Sequence, residues 1–147
     1  EQLRAQLKRL LESQKMTEQE AECIRSRDIR RFVESGLGQR MKKAAMKKHL
    51  YREQPFVIQR SASMLDDGWK NETVLVQGII DAYFMEEEEI VLVDYKTDRV
   101  KRGQEQKLID LYHVQLEDYA RALERMTGKR VKEKIIYSFT LQKEILL

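Results

Sequence analysis

The period of the apolar positions changes near residue 50. Before it, Leu3, Leu7, Leu10 and Leu11 recur at helical spacing, and Thr17 with Glu20 makes a capping box ahead of Ala21 and Ile24. A further helix is predicted from about Asp28 to Glu34. Gly36 and Gly38 then punctuate the chain before a short basic helix, QRMKKAAMKK at 39–48. From Pro55 the period falls to two and the residues turn β-branched or aromatic: QPFVIQR, VLVQGIIDAYFM and EIVLVDYK, with a turn at the DDG of 66–68. Only the acidic residues Glu86 to Glu89 separate the second and third strands, so an antiparallel hairpin is expected there. A polar, basic loop, TDRVKRGQEQ, leads into a helix of about eighteen residues ending at Gly128, and a final strand, KEKIIYSFTL, closes the domain. The pattern therefore predicts a helical segment, 1–50, packed on an α/β core, 51–147, the two forming one domain.

The chain has 147 residues, 41% of them hydrophobic, enough for one core. No stretch approaches the roughly 18 to 20 uninterrupted apolar residues of a membrane span, so no membrane association is expected. The N-terminus, EQLRAQLKRLL, has neither an initiator Met nor the apolar stretch of a signal peptide, and the chain reads as a piece of something larger. Cys23 is alone, which rules out an internal disulfide, a CxxC zinc site and a four-cysteine iron–sulfur cluster, and suits the cytoplasm. The net charge is +3 but unevenly spread: residues 1–50 carry 13 Lys and Arg against 7 Asp and Glu, residues 51–100 carry 5 against 11, and residues 101–147 carry 10 against 7. Basic flanks around an acidic centre suit a protein that holds a polyanion near a metal, and solvated helix faces give the same counts. Lys42, Lys43, Lys47 and Lys48 are the cations of the short helix that could face phosphate. The four-glutamate run reads as a solvated turn rather than a metal site.

Charges interrupt two of the strands. Residues two apart on a strand share a face, so Asp94 and Lys96 project together while Tyr95 points the other way, and a hairpin can bring Asp81 of the preceding strand near Asp94. Two carboxylates in a partly dry site repel unless a cation is supplied, and Mg²⁺ needs only one or two carboxylates, a backbone carbonyl and a substrate phosphate beside its waters. Lys96 beside such a metal can orient or help deprotonate a water and can neutralise charge building on a phosphorane-like transition state. Those are the parts of metal-dependent phosphodiester hydrolysis. The plain alternative is a salt bridge from Lys96 to Asp94 or Asp81 at the edge of the sheet.

On the long helix, Ile109, Tyr112, Leu116, Tyr119, Ala120, Leu123 and Met126 make one apolar stripe. Gln115 falls at its border, one turn before Tyr119, where it can meet a DNA backbone or base, or the surroundings of a metal site. Q-x-x-x-Y alone is a weak signal, because chance produces it freely. His113 lies roughly 160° around the helix from Gln115; it and His49 read as ordinary boundary residues.

Taken in order, QGIIDAYF, VLVDYKTDRV and YHVQLEDYARAL resemble the RecB-type nucleases of the PD-(D/E)XK superfamily, in particular the nuclease domains of the AddAB helicase–nucleases. The resemblance is strong from about Val74 to Phe139, and upstream REQPFVI fits the strand that opens the family's sheet. It implies a restriction-endonuclease-like core, a mixed central sheet flanked by helices, and a metal-dependent DNA exonuclease in double-strand-break repair. It also implies Asp81, Asp94 and the Tyr95 backbone carbonyl as metal ligands for Mg²⁺, with Mn²⁺ a substitute, Lys96 as the catalytic lysine, and Gln115 and Tyr119 as the Q-x-x-x-Y motif in DNA binding or support of the site. Glu53 matches a recurrent acidic position without a firm role. The partners implied are DNA, the helicase portion of the same parent chain and an AddB-like partner subunit. One feature departs: the family's G-x-x-x-H segment is absent, since neither His49 nor His113 has Gly four residues earlier. The chain is expected to begin after that helix, and the isolated piece to cut weakly or not at all. A catalytically incomplete DNA-binding module of the same fold, gripping DNA through 39–48 and the loop 99–102, is the alternative. The single cysteine sets the chain apart from the iron–sulfur branch.

Overall fold

The computed structural model describes residues 26–61 and 73–147. The leucine repeat, the Thr17–Glu20 capping box and the DDG turn lie outside the described residues. The elements are α1 (Ser26–Glu34), α2 (Gly36–Met46), β1 (Leu50–Ser61), β2 (Thr73–Glu86), β3 (Glu89–Lys96), α3 (Glu105–Thr127), β4 (Val131–Ser138) and β5 (Lys143–Leu146). The strands form one sheet in the order β1-β2-β3-β4-β5. β3 and β4 are parallel, joined across α3, and every other pair is antiparallel, which makes the sheet mixed. The fold is the expected α/β arrangement of a central mixed sheet with helices on both faces. No helix among the described residues is long and apolar enough to cross a membrane.

Alternation along β3 sorts the core into two layers. Ile90 and Leu92 pack with Leu116, Tyr119, Ala120 and Leu123 of α3, whereas Val91 and Val93 pack with Leu37, Met41 and Ala44 of α2. All four β3 residues are fully buried, so Ile90–Val93 is covered on both faces, as its unbroken apolar run requires. The stripe expected on α3 is largely the buried one, although Met126 is half exposed and Leu108 and Ala122 join the core unforeseen. α3 is longer than its stripe, 23 residues, and ends where Gly128 takes φ 68° and donates its N–H to the Glu124 carbonyl.

Two expectations are corrected. Gly36 and Gly38 do not precede the basic helix; they form its first turn, capped by Ser35, whose Oγ accepts the Gly38 N–H at 3.1 Å. The corner between α1 and α2 is so tight that a Cβ on Gly38 would lie 2.1 Å from the Phe32 carbonyl oxygen. The strand expected over KEKIIYSFTL stops short, at Ser138, and is not the last: the chain turns back through Gln142 at φ 54°, and β5, beyond the expected strand, pairs with β4.

The glutamate run makes the turn of the β2–β3 hairpin, with Glu86 opposite Glu89 and positive φ at Glu87 and Glu88. Its charges are met by Lys129 at Glu88 and by Arg130, 3.1 Å from Glu89. Glu86 is gripped by Arg40 of α2 through two nitrogens at 2.9 and 2.8 Å, and the same guanidinium holds Glu133 of β4 through two more contacts of 2.9 and 2.8 Å. The hydrogen bonds from Arg40 hold the Glu86 carboxyl down at about 2, against burial. A depressed carboxyl stabilises the fold above its ordinary pKa, and that contribution disappears as pH falls through the folded value. Arg40→Ala is therefore expected to cost about 1–3 kcal/mol at neutral pH, discounted for partial exposure. In urea melts the difference from the unsubstituted chain should shrink as pH falls from about 5 towards 2.

Candidate active site

The β2–β3 ladder starts at the hairpin turn and stops at Ala82 and Val93. Beyond it the strands part, β2 staying paired with β1 while β3 stays paired with β4. A parting leaves main-chain groups without ladder partners, and a side chain fills one of the gaps: Asp81 Oδ2 accepts the Tyr95 N–H at 2.9 Å. Asp81 thus spans the fork that β2 and β3 make.

Asp94 lies on the next step of β3 and is 2% exposed. Its Oδ2 is 2.7 Å from Lys96 Nζ, yet among the described residues this buried oxygen has no hydrogen bond of acceptable geometry. Burial pushes the Asp94 carboxyl above its ordinary value despite Lys96, and the nearby charges of Asp81 and Asp98 push the same way. The ion pair foreseen as the plain alternative is present, but in the middle strand of the five rather than at the sheet edge. Burying a charge pair there carries a desolvation penalty that the pair alone repays poorly.

Three contacts hold Lys96. Besides Asp94, Nζ donates to Gln115 Oε1 at 3.1 Å and lies 4.0 Å from the centre of the Tyr112 ring. Gln115 Nε2 donates to the Tyr119 hydroxyl at 2.8 Å, and the Tyr112 hydroxyl donates to Asp98 Oδ1 at 2.9 Å. A continuous polar chain runs from Asp94 through Lys96 and Gln115 to Tyr119. On the far face the Tyr95 ring is wedged among Phe32 and Phe139, with centroids at 5.5 and 6.0 Å, and its hydroxyl is pushed up to about 12 by burial. That anchorage fixes the main chain between Asp94 and Lys96.

The oxygen donors at the fork are the carboxylates of Asp81 and Asp94 and the Tyr95 carbonyl. Hard oxygens, one of them buried without a hydrogen bond, fit a hard divalent cation that keeps several waters. No cluster of three or more His, Cys, Asp or Glu suited to a metal occurs among the described residues. His113 sits on the exposed side of α3 with Nδ1 3.1 Å from the Asp110 carbonyl oxygen, and His49 lies beside the hairpin turn, its carbonyl accepting the Met85 N–H. Glu53 is exposed, at φ 50°, where the β1–β2 register passes from Arg52 to Gln54.

Residues 1–145 match the PD-(D/E)XK nuclease superfamily. The chain belongs to that superfamily. It is similar to an ATP-dependent helicase/nuclease subunit of Clostridium novyi, 39% identical over 150 residues that cover 99% of this chain and 12% of that protein. The corresponding helicase/nuclease subunit of Acetivibrio thermocellus is 43% identical over 144 residues, covering 95% of this chain and 11% of its own length. That of Alkaliphilus oremlandii is 37% identical over 150 residues, covering 100% and 12%. The chain thus spans 11–12% of the length of these curated relatives. PD-(D/E)XK nucleases generally depend on a divalent metal, in keeping with the oxygen donors at the fork.

Among the residues that the sequence singled out, Asp81, Asp94, Lys96, Gln115 and Tyr119 come together in this PD-(D/E)XK chain. The basic helix does not join them. Lys42 and Lys43 are exposed on α2, and Lys47 and Lys48 are exposed in the turn that follows its end at Met46; α2 covers the sheet face opposite Gln115 and ends beside the hairpin turn. Asp81 is five residues along β2 from Glu86, about 16 Å at strand rise. The loop leaving β3, with Arg99, Lys101 and Arg102 at least partly exposed, instead starts at Lys96 itself. Two participants were not foreseen, Tyr112 and Asp98. Tyr112 stands three residues before Gln115, on the same side of α3, and reads as plain core; only its hydroxyl, which needs a partner when buried, hints at more.

Proposed function

We propose that the chain is the nuclease domain of an ATP-dependent helicase–nuclease, a Mg²⁺-dependent exonuclease that hydrolyses phosphodiester bonds of single-stranded DNA in double-strand-break repair and recombination. The observation that carries this reading is the central-strand arrangement at the fork: Asp94, buried and lacking a hydrogen bond on Oδ2, beside a Lys96 ammonium held by Gln115. Membership of the nuclease superfamily and the helicase/nuclease character of the relatives support it. The parent chain would supply the helicase, an AddB-like protein would be the partner, and the cytoplasm the compartment. Cys23 alone provides no ligand set for an iron–sulfur cluster.

Asp81, Asp94 and the Tyr95 carbonyl would hold the metal, with Mn²⁺ an acceptable substitute. When bound it supplies positive charge to a phosphate and a more acidic water. In hydrolysis a water oxygen bonds to phosphorus, one P–O ester bond breaks, and the departing oxygen takes a proton. Lys96 places a cation where charge accumulates on the phosphoryl oxygens, and Gln115 and Tyr119 fix its direction so that little reorganisation is needed. Tyr112 covers the ammonium and limits its hydration.

The test is incubation of the chain, and of the longer parent protein that carries it, with labelled single-stranded DNA in Mg²⁺, in Mn²⁺ and in chelator. Release of short products by the parent protein in either metal and none in chelator is expected, with weak release or none from the chain alone. If DNA is bound with a steep salt dependence but cut by neither, the chain is the binding module instead.

A further inference from the structure

A groove of about 290 Å³ opens between the β1–β2 hairpin and α3, lined by Phe56, Val76 and Gly78 on the sheet side and Val114, Gln115 and Tyr119 on the helix side. Its existence depends on Gly78. That residue is the register partner of Phe56, and a Cβ there would lie 2.9 Å from Phe56 Cε1, so any side chain would displace the ring that forms the wall. The Phe56 and Tyr119 rings meet edge to face with centroids 5.1 Å apart, which gives the groove an aromatic base. Asp118, also on the lining, is held 3.0 Å from Arg60, so its charge is neutralised and does not repel a polyanion. Gln115 lines the groove and also accepts from Lys96, which makes the groove continuous with the fork.

We propose that this groove takes one unpaired nucleobase of the strand whose phosphate lies at Lys96. The inference rests on the nuclease reading above and adds to it the means by which the chain would favour a single strand. The volume is just below that of ordinary drug-sized sites, enough for one flat ring system. A paired base within a duplex cannot enter a slot with protein on both sides, whereas a base in single-stranded DNA presents its π-face freely. After serving Lys96 and Tyr119, the Gln115 amide retains one N–H and one lone pair, which can meet the edge of any base, so little sequence preference is expected.

The test measures affinity of the full chain, in Ca²⁺, for a fluorescent oligonucleotide in which one abasic residue is moved stepwise along the strand. One position should weaken binding roughly tenfold relative to its neighbours. Val114→Trp, which fills the groove from its exposed rim, should erase that difference, while Val114→Ala, which leaves it open, should preserve it. Thermal melts of both variants establish that they are folded. An abasic scan that is flat, or a difference that survives Val114→Trp, overturns the groove as a base site. Metal-dependent cleavage alongside a flat scan leaves the nuclease reading standing and removes only the groove; a folded chain that neither binds nor cuts the strand overturns both.

Discussion

Asp94→Asn is expected to abolish strand cleavage by the parent protein, by at least about a thousandfold, and yet to raise the thermal midpoint of the chain in chelator. Both effects have one cause. Asp94 is buried, its Oδ2 lacks a well-formed hydrogen bond, and burial pushes its carboxyl above the ordinary value. A carboxyl that holds its proton more tightly folded than unfolded makes the fold less stable as pH rises from the ordinary 3.8 through the raised value, because the unfolded chain ionises first. At neutral pH the metal-free fold therefore carries a charge that burial disfavours. Asparagine keeps the shape and an acceptor for Lys96 but removes the charge that burial disfavours, so the midpoint in chelator should rise. Mg²⁺ should raise the midpoint of the unsubstituted chain and leave that of Asp94→Asn unchanged, since only the former gains binding energy on folding. A variant that is inactive but melts lower in chelator, with no difference in its response to Mg²⁺, would show that Asp94 is a structural partner of Lys96 and nothing more.

How much of this was legible in the sequence follows from where the controlling contacts lie. Ile90–Val93 followed by Asp94 and Lys96 declares a buried strand with a charged end, because period-two alternation and an unbroken apolar run are local properties. Asp81 before a short acidic connection declares its proximity to Asp94 for the same reason. Gln115 and Tyr119 are one helical turn apart, so their mutual contact is local too, and what joins them to Lys96 is the packing of α3 across the sheet. The parts that were missed depend on tertiary contacts. β5 is only four residues, KEIL, and is a strand because β4 offers it an edge. The glycines at 36 and 38 look like breakers until the approach of α1 shows that a side chain at Gly38 has no room. The basic helix suggested a phosphate grip, yet the alternation of β3 places α2 on the face opposite Lys96, which no count of lysines could reveal. Tyr112 looks like core because its ring packs against the core; its cationic neighbour comes from another element.

Lys96→Ala is expected to lower turnover in the parent protein by about 10²–10³, the range for loss of one preorganised electrostatic stabiliser, with metal affinity kept within a few fold. Cleavage would report turnover, and calorimetric titration with Mn²⁺ would report affinity separately. The separation follows from the proposed ligand set: the metal would be held by oxygens of Asp81, Asp94 and Tyr95, and the lysine adds none. Its removal also leaves Asp94 without its cation, so Asp94 should protonate more readily and metal affinity should weaken more steeply below neutral pH than in the unsubstituted chain. Lys96→Arg is a sharper probe. Nζ occupies one point between Asp94 Oδ2 at 2.7 Å, Gln115 Oε1 at 3.1 Å and the Tyr112 ring at 4.0 Å. A guanidinium is broader, planar and forked, and cannot fit that point without displacing Gln115 or the ring. Arginine should thus preserve the charge and the pH profile of metal binding but recover little turnover. Recovery to near the original rate would mean that position 96 needs only a positive charge, and that the chain from Gln115 to Tyr119 does not aim it.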